Sequence, residues 1–178
     1  MTSASERTLL LRIARDAIAA RVVGRVAPTV VLSGVLAREA GAFVTLRIER
    51  QLRGCIGHIR QDEPLGSVIP RCAEAACSSD PRFNAVTAAE VPRLALEISL
   101  LEPLEAITGA GDVEVGRHGL VVELGRRRGL LLPQVAADWG WDRETLLAET
   151  CHKAGLPRDA WKHAASLWRF EAEVFGEP

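Results

Sequence analysis

One short stretch of the chain combines a thiol with a nearby cation and two glycines. It spans residues 52–58 and reads LRGCIGH. Arg53 and Cys55 are two positions apart, so on a strand both side chains point to the same face. A neighbouring cation favours the thiolate, which is the nucleophilic form of cysteine. Cys55 is therefore a candidate nucleophile or redox-sensitive thiol, and an inert buried cysteine is the alternative.

Gly54 and Gly57 stand on either side of this cysteine in a segment with strand character. Glycine weakens strand interiors, so two of them in one short strand need a reason. One reason is close approach by a ligand or another backbone. The other is a bulge or tight packing against a neighbouring helix. The residues alone leave both open.

Three further residues are of types that can do chemistry. Asp80 and Arg82 lie in a turn, where Asp80 can accept hydrogen bonds from nearby backbone donors. Arg82 can pair with Asp80 or present its donors to an anion. His118 lies in a predicted turn at 116–119, where it is either a base or donor near neutral pH or a residue bonded to the backbone.

The cysteine and histidine spacing does not match a metal site. None of the pairs reproduces a zinc-finger pattern. Cys72 and Cys77 lie five positions apart on a predicted helix, roughly 140° around its axis, so they do not share one ion easily. We predict no metal, identify no cofactor and expect the chain's four cysteines to be thiols.

Composition indicates one globular domain of 178 residues, 48% of them hydrophobic and 25% charged, with a net charge of −1. This charge gives no field that would attract nucleic acid or an anionic membrane. There is no secretory signal and no apolar run of ~18–20 residues. The sequence therefore predicts a cytoplasmic protein that does not contact the membrane.

Periodicity predicts the elements. Helical spacing runs over residues 10–18, capped by Ser3 or Ser5, over 64–78 and over 142–154. Pro70 predicts a kink or a late start in the second helix. Apolar alternation or short apolar runs predict strands at 43–50, 52–57, 93–101, 112–115, 119–124, 130–132 and 167–175. The turns are expected near 50–51 and at 125–129, and the four tryptophans are expected to be packing residues.

Helices flanking consecutive hairpin-like strands predict an α+β fold with a mostly antiparallel sheet. We expect one domain over residues 1–178, with two subdomains formed by discontinuous segments.

The six residues 52–57 resemble the hallmark motif of the AMMECR domain family, whose bacterial members include protein A of the AmmeMemoRadiSam system. Segments similar to this family follow in the expected order at 75–83, 97–101, 118–120, 129–136 and 153–157. The resemblance covers nearly the whole chain. His58 departs from it, because a small hydroxyl residue usually follows Gly57 in the family, and residues 84–86 lack an expected proline.

The resemblance implies an α+β fold of two lobes with a cleft near residues 52–57. It implies no established activity, although an enzymatic role and a role in RNA modification have both been suggested for the family. It also implies a pathway shared with Memo-like and radical S-adenosylmethionine proteins. We expect a cysteine-centred enzyme that acts on a small molecule or a modified group. Cys55 would be its nucleophile, Arg53 and Arg82 would position an anion, and His118 would supply acid–base chemistry. Gly54, Gly57 and Asp80 complete the predicted binding residues. A non-catalytic ligand- or partner-binding module and an RNA-related protein are the alternatives.

Overall fold

The computed structural model describes residues 1–177 and confirms the α+β fold class. Its elements in chain order are α1 (Ala4–Val22), β1 (Ala42–Ile48), β2 (Gln51–His58), α2 (Leu65–Ser78), β3 (Ala95–Leu101), β4 (Glu105–Ile107), β5 (Gly119–Leu124), β6 (Arg127–Leu131), α3 (Pro133–Trp139), α4 (Arg143–Lys153), β7 (Ser166–Phe170) and β8 (Ala172–Gly176). They form two compact units. The first unit holds Met1–Leu100 and the segment from Glu173 onward, and the second unit holds Leu101–Ala172.

The first unit is a four-stranded sheet in the order β2-β1-β3-β8 with two helices. Strand β1 pairs with β2 and with β3, both in the antiparallel sense. Helices α1 and α2 pack against each other, and α2 also contacts β1 and β2. The apolar face of α2 supplies much of the core, through Leu65, Val68, Ile69, Cys72, Ala73 and Ala76.

The residues at the start of each helix in this unit explain where the helix begins. Ser3 and Glu6 form a capping box at the start of α1. Helix α2 begins at Leu65, directly after Pro64, so the late start predicted from Pro70 is wrong. A proline inside a helix removes one backbone bond. The buried face continues across Pro70 and holds the helix together.

The turn between β1 and β2 places Glu49 and Arg50 at φ values of 51° and 68°. Two successive residues in the left-handed region make a type I′ turn, which matches the twist of a hairpin and favours Asn-Gly. The predicted hairpin is confirmed, and its turn uses two residue types that the left-handed region disfavours.

The second unit is a four-stranded antiparallel sheet in the order β4-β7-β5-β6, with α4 packed against β5 and β6. Asp142 accepts the backbone N–H of Thr145 and caps α4, at the start of the helix predicted over 142–154. Gly155, just beyond that helix, has a φ of 73°. The core of this unit centres on Leu120, Val122, Leu146, Leu147 and Cys151.

Two predictions in the second unit are wrong, namely the strand at 112–115 and the length of the turn at 125–129. Residues 112–115 are not a strand, because Ala110–Asp112 form a short 3-10 helix and the Asp112 carboxylate accepts the N–H and hydroxyl of Thr108. The turn at 125–129 is shorter than expected. Gly125 adopts a φ of 61°, so pairing resumes at Arg127 opposite Leu124.

The predicted strand at 167–175 is two strands, β7 and β8, separated at Glu171. Strand β7 pairs with β4 and β5, whereas β8 lies beside β3. The alternation of apolar and polar side chains continues through Glu171 without interruption. The pattern therefore does not show that the chain passes from one sheet to the other there.

Helix α3 lies outside the elements that periodicity predicts, because Pro133 directly follows the predicted strand at 130–132 and suggests only its end. Proline also suits the first turn of a helix. Trp139 at its end is exposed, which corrects its expected packing role, and its ring stacks on Trp141 at 6.1 Å. Across residues 1–177, no helix combines the length and the apolar character that crossing a bilayer requires.

Candidate functional site

Cys55 lies on β2, the edge strand of the first sheet, directly opposite Thr45 of β1. It is partly exposed, whereas Cys72, Cys77 and Cys151 are buried. Burial raises the pKa of Cys72 to about 11 and also raises the pKa values of Cys77 and Cys151. Among the four thiols, Cys55 is therefore the one that a solute reaches most readily.

The turn after α2 holds both backbone groups of Cys55. The carboxylate Oδ2 of Asp80 accepts its N–H at 2.9 Å, and Nη2 of Arg82 donates to its carbonyl oxygen at 3.3 Å. An edge strand leaves one side of its backbone unpaired. Here Asp80 and Arg82 satisfy that side at Cys55 and fix the strand at this residue.

Asp80 is almost fully enclosed, with 2% of its side chain exposed. Its Oδ1 accepts the backbone N–H and Nε of Arg82 at 3.1 and 2.9 Å, and its Oδ2 accepts Nη2 at 2.7 Å. These bonds, chiefly the one from the guanidinium, hold the pKa of Asp80 well below its usual range. The same pair raises the pKa of Arg82, and the nearby Cys55 adds to that rise.

The sulfur of Cys55 has a hydroxyl partner. Oγ1 of Thr45 donates to Sγ at 3.3 Å, and Thr45 is itself buried. A donated hydrogen bond stabilises negative charge on the acceptor. The register of the β1–β2 hairpin places the two side chains on one face of the sheet. Thr45 is a residue that sequence reasoning missed, although the predicted hairpin carried the signal.

Arg53 is committed to a different partner. Its Nε and Nη2 donate to the two carboxylate oxygens of Glu90 at 2.8 and 3.2 Å, and Nη1 and Nη2 donate to the carbonyls of Asn84 and Ala85. The bond from Arg53 is the chief reason that the pKa of Glu90 falls to about 2. Through these contacts Arg53 binds the segment 84–90 and stabilises its position. Its predicted role in positioning an anion stays a prediction.

Packing accounts for both glycines of the motif. A Cβ at Gly54 would lie 2.2 Å from the carbonyl oxygen of Ala76, where α2 crosses the strand. A Cβ at Gly57 would lie 2.3 Å from the ring of Phe43. Close approach by helix and ring therefore requires glycine at both positions. The binding roles predicted for Gly54 and Gly57 stay predictions.

His118 belongs to the second unit and is buried there. Its Nδ1 accepts the backbone N–H of Glu114 at 3.0 Å. Burial, together with the charges of Arg169 and Arg117, lowers its pKa and favours the neutral ring. This is the backbone-bonded arrangement that the sequence left as one alternative. The acid–base role in concert with Cys55 stays a prediction.

One group of side chains could hold a metal ion. The ligand atoms of His58, Asp62 and Glu63 all lie within 4.8 Å of one another. The carboxylate of Glu63 is already bound by both terminal nitrogens of Arg71, at 2.6 and 3.0 Å. The group is partly exposed, and the prediction that the chain binds no metal stays a prediction.

Comparison with known proteins identifies the family. The AMMECR1 family model matches residues 11–175. The chain belongs to the AMMECR1 family. This confirms the resemblance drawn from residues 52–57 and the segments that follow them.

Relatives of this AMMECR1 chain share its length as well as its sequence. A protein of Methanococcoides burtonii is 40% identical over 99% of this chain and 92% of its own length. Protein PF1979 of Pyrococcus furiosus is 41% identical over 94% of this chain and 86% of its own. The crystal structure of the uncharacterised protein PH0010 from Pyrococcus horikoshii is 40% identical. It matches with a TM-score of 0.88 over 95% of this chain and 90% of that one. The fold is thus that of a solved relative, and the names of these relatives assign no activity.

Proposed function

We propose that this AMMECR1 chain is a cysteine-dependent enzyme that acts on a small molecule or on a modified group, with Cys55 as its nucleophile. The observation that carries the proposal is the arrangement around the sulfur of Cys55, the partly exposed cysteine. Asp80 and Arg82 hold the backbone of Cys55 on its outer side, and the hydroxyl of Thr45 points at Sγ. A nucleophile held in one position reacts without first being ordered.

The reaction type follows from the groups present. In such a reaction the sulfur's electron pair forms a C–S bond to an electrophilic carbon of the substrate. The electron pair of the bond that breaks at this carbon leaves with the displaced group, which takes up a proton. The hydroxyl of Thr45 donates a hydrogen bond to this sulfur and orients it for attack. Arg82 is half exposed, and among the described residues its Nη1 has no hydrogen-bond partner. This nitrogen is available to an anionic substituent of the substrate, which supports the predicted role of Arg82 better than that of Arg53.

The compartment is proposed from the composition of the sequence, and the pathway and the cleft are proposed from the resemblance. We place the protein in the cytoplasm, in a pathway with Memo-like and radical S-adenosylmethionine proteins, and place its substrate in a cleft near residues 52–57. The alternatives are a ligand- or partner-binding module without turnover and a protein acting on RNA. A net charge of −1 does not attract nucleic acid, so it does not favour the alternative of a protein acting on RNA.

The first test is the rate at which iodoacetamide labels each cysteine at pH 7, followed by mass spectrometry. Cys72, Cys77 and Cys151 are buried controls within the same sample. We expect native Cys55 to react faster than the same residue in the urea-unfolded chain. Thr45→Val should slow it several-fold, while the exposed control Thr8→Val leaves it unchanged. If native Cys55 reacts more slowly than the unfolded residue, nucleophilic catalysis loses its support.

A second test separates an enzyme from a binding module. The protein is mixed with a small-molecule extract of cells and analysed by intact-mass spectrometry under native and denaturing conditions. An adduct that survives denaturation and is absent from Cys55→Ala supports the enzyme. A ligand seen only under native conditions, retained by Cys55→Ser and lost in Arg82→Ala, supports the binding module instead.

A further inference from the structure

The second unit has a hollow of its own. It measures about 450 Å³, within the size range of small-molecule sites, and all its lining residues lie between Glu102 and Glu171. The side chains that matter for recognition are His118, Arg117, Arg169, Glu105, Glu114 and Glu171. Cys55, which belongs to the first unit, does not line it.

His118 presents a hydrogen-bond donor to this hollow. Because its Nδ1 accepts the backbone N–H of Glu114, the neutral ring carries its proton on Nε2. The side chain is buried, and within residues 1–177 the structure assigns Nε2 no hydrogen-bond partner. Most of the ring is enclosed, but Nε2 is not itself a fully buried atom, so its N–H is open to the hollow and can donate to an acceptor oxygen of a ligand.

The two arginines of the hollow are already occupied. Arg117 donates to Glu171 at 2.9 Å and to Glu114 at 3.2 Å. Arg169 donates to Glu105 through two nitrogens, at 3.0 and 2.9 Å, and its remaining terminal nitrogen donates to the carbonyl of Asp112 at 2.7 Å. Neither guanidinium therefore offers an anion its full set of donors.

Carboxylates outnumber guanidiniums around the hollow. Glu105, Glu114 and Glu171 lie beside two arginines there, so with a neutral His118 these side chains are together net negative. Each carboxylate has about four acceptor sites, more than the one or two hydrogen bonds that its arginine partner donates to it here. The electrostatic complement of such a lining is a cation, and the donor on His118 adds the need for an oxygen acceptor.

We propose that this hollow is a binding site for a small ligand that carries both a protonated amine and an acceptor oxygen. Nε2–H of His118 donates to the oxygen, and the glutamates receive the ammonium group. The site lies within the second unit and does not depend on Cys55, so it stands or falls separately from the proposed function.

The test is an NMR titration of the full chain that follows the backbone amide of residue 114, whose N–H bonds to His118. The test ligands are glycinamide, which has both groups, ethylamine and acetamide, which have one each, and acetate. We expect glycinamide to move the resonance saturably, with a dissociation constant on the order of millimolar for so small a ligand. Ethylamine and acetamide should bind several-fold more weakly, and added salt should weaken the binding of glycinamide. No saturable movement in the millimolar range, or an equal response to acetate, would overturn the proposal.

Two variants separate recognition from folding. His118→Asn keeps an acceptor near the position of Nδ1 and removes the donor at Nε2, so it should fold normally and bind glycinamide at least ten-fold more weakly. Glu114→Gln removes one negative charge and should weaken binding several-fold. Glu123→Gln, on β5 but outside the hollow, is its matched control and should have no effect. Unchanged binding in His118→Asn, or equal weakening in Glu114→Gln and Glu123→Gln, would show that these groups do not form the site.

Discussion

Oδ2 of Asp80 lies 2.9 Å from the backbone nitrogen of Cys55 and accepts its hydrogen bond across 25 positions of sequence. The carboxylate is enclosed, and its other bonds all come from Arg82, which in turn donates to the Cys55 carbonyl. The turn after α2 thus takes the place of a neighbouring strand at this one residue. The position of the thiol depends on that turn as much as on its own sheet.

The first prediction concerns this carboxylate. Asp80→Ala removes the acceptor of the Cys55 N–H and should lower the free energy of unfolding by about 1–3 kcal/mol, because it leaves this part-buried N–H and the Arg82 guanidinium without their acceptor. Asp80→Asn keeps one acceptor oxygen and should cost less. Urea unfolding measures both, with the exposed Asp138→Ala as the control. A loss for Asp80→Ala no larger than that of the control would show that the turn does not hold the strand.

The sequence predicted the local parts of this site and missed its long-range pairs. Residues 80–82 were interpreted as a turn in which Asp80 and Arg82 could pair, and they do. The cation two positions before Cys55 was expected to act on the sulfur, yet the Arg53 guanidinium binds Glu90, 37 positions away. The fold decides which residues pair at that distance, and the spacing of residues in the sequence does not predict such pairs.

The sequence predicts an element correctly where the whole element belongs to one sheet or presents one continuous apolar face. Hairpin β1–β2, helices α1, α2 and α4 and strand β3 all follow from periodicity and capping. The failures lie where tertiary context decides. The segment 166–176 keeps one alternation while passing from one sheet to the other, and Pro133 begins a helix rather than only ending a strand.

The second prediction concerns Gly54. Its missing Cβ leaves room for the backbone carbonyl of Ala76, and a backbone atom cannot move aside as a flexible side chain can. Gly54→Ala should therefore lower the free energy of unfolding by about 1–3 kcal/mol through overpacking. Gly109→Ala is the matched control, since nothing lies within 4 Å of its Cβ position and its φ of 168° suits any residue. Equal stability of the two variants would mean that α2 does not pack closely on β2.

The third prediction concerns the β1–β2 turn. Glu49 and Arg50 both occupy the left-handed region, which costs about 1–2 kcal/mol for each such residue. Replacing them with Asn and Gly, the residues that a type I′ turn prefers, should raise the free energy of unfolding by about 1 kcal/mol. The exposed ion pair between Glu49 and Arg93 is lost in this variant and is worth little. Thermal unfolding should show a higher Tm, and a lower one would contradict the turn geometry.

The fourth prediction concerns the pH dependence of the Arg53–Glu90 pair. The pKa of Glu90 lies at about 2 rather than at its ordinary 4.5, so between these values the unfolded chain binds more protons than the folded one. The contribution of Glu90 to stability is therefore complete above about pH 5 and is lost as the pH falls towards about 2. Glu90→Gln should lower the free energy of unfolding by about 1–2 kcal/mol at pH 7, and the gap to the native chain should narrow at pH 3.5. Urea unfolding at pH 7, 5 and 3.5 measures this gap, with the exposed Glu144→Gln on α4 as control. A gap that stays constant across the three values would show that Arg53 does not hold the Glu90 carboxylate in its charged form.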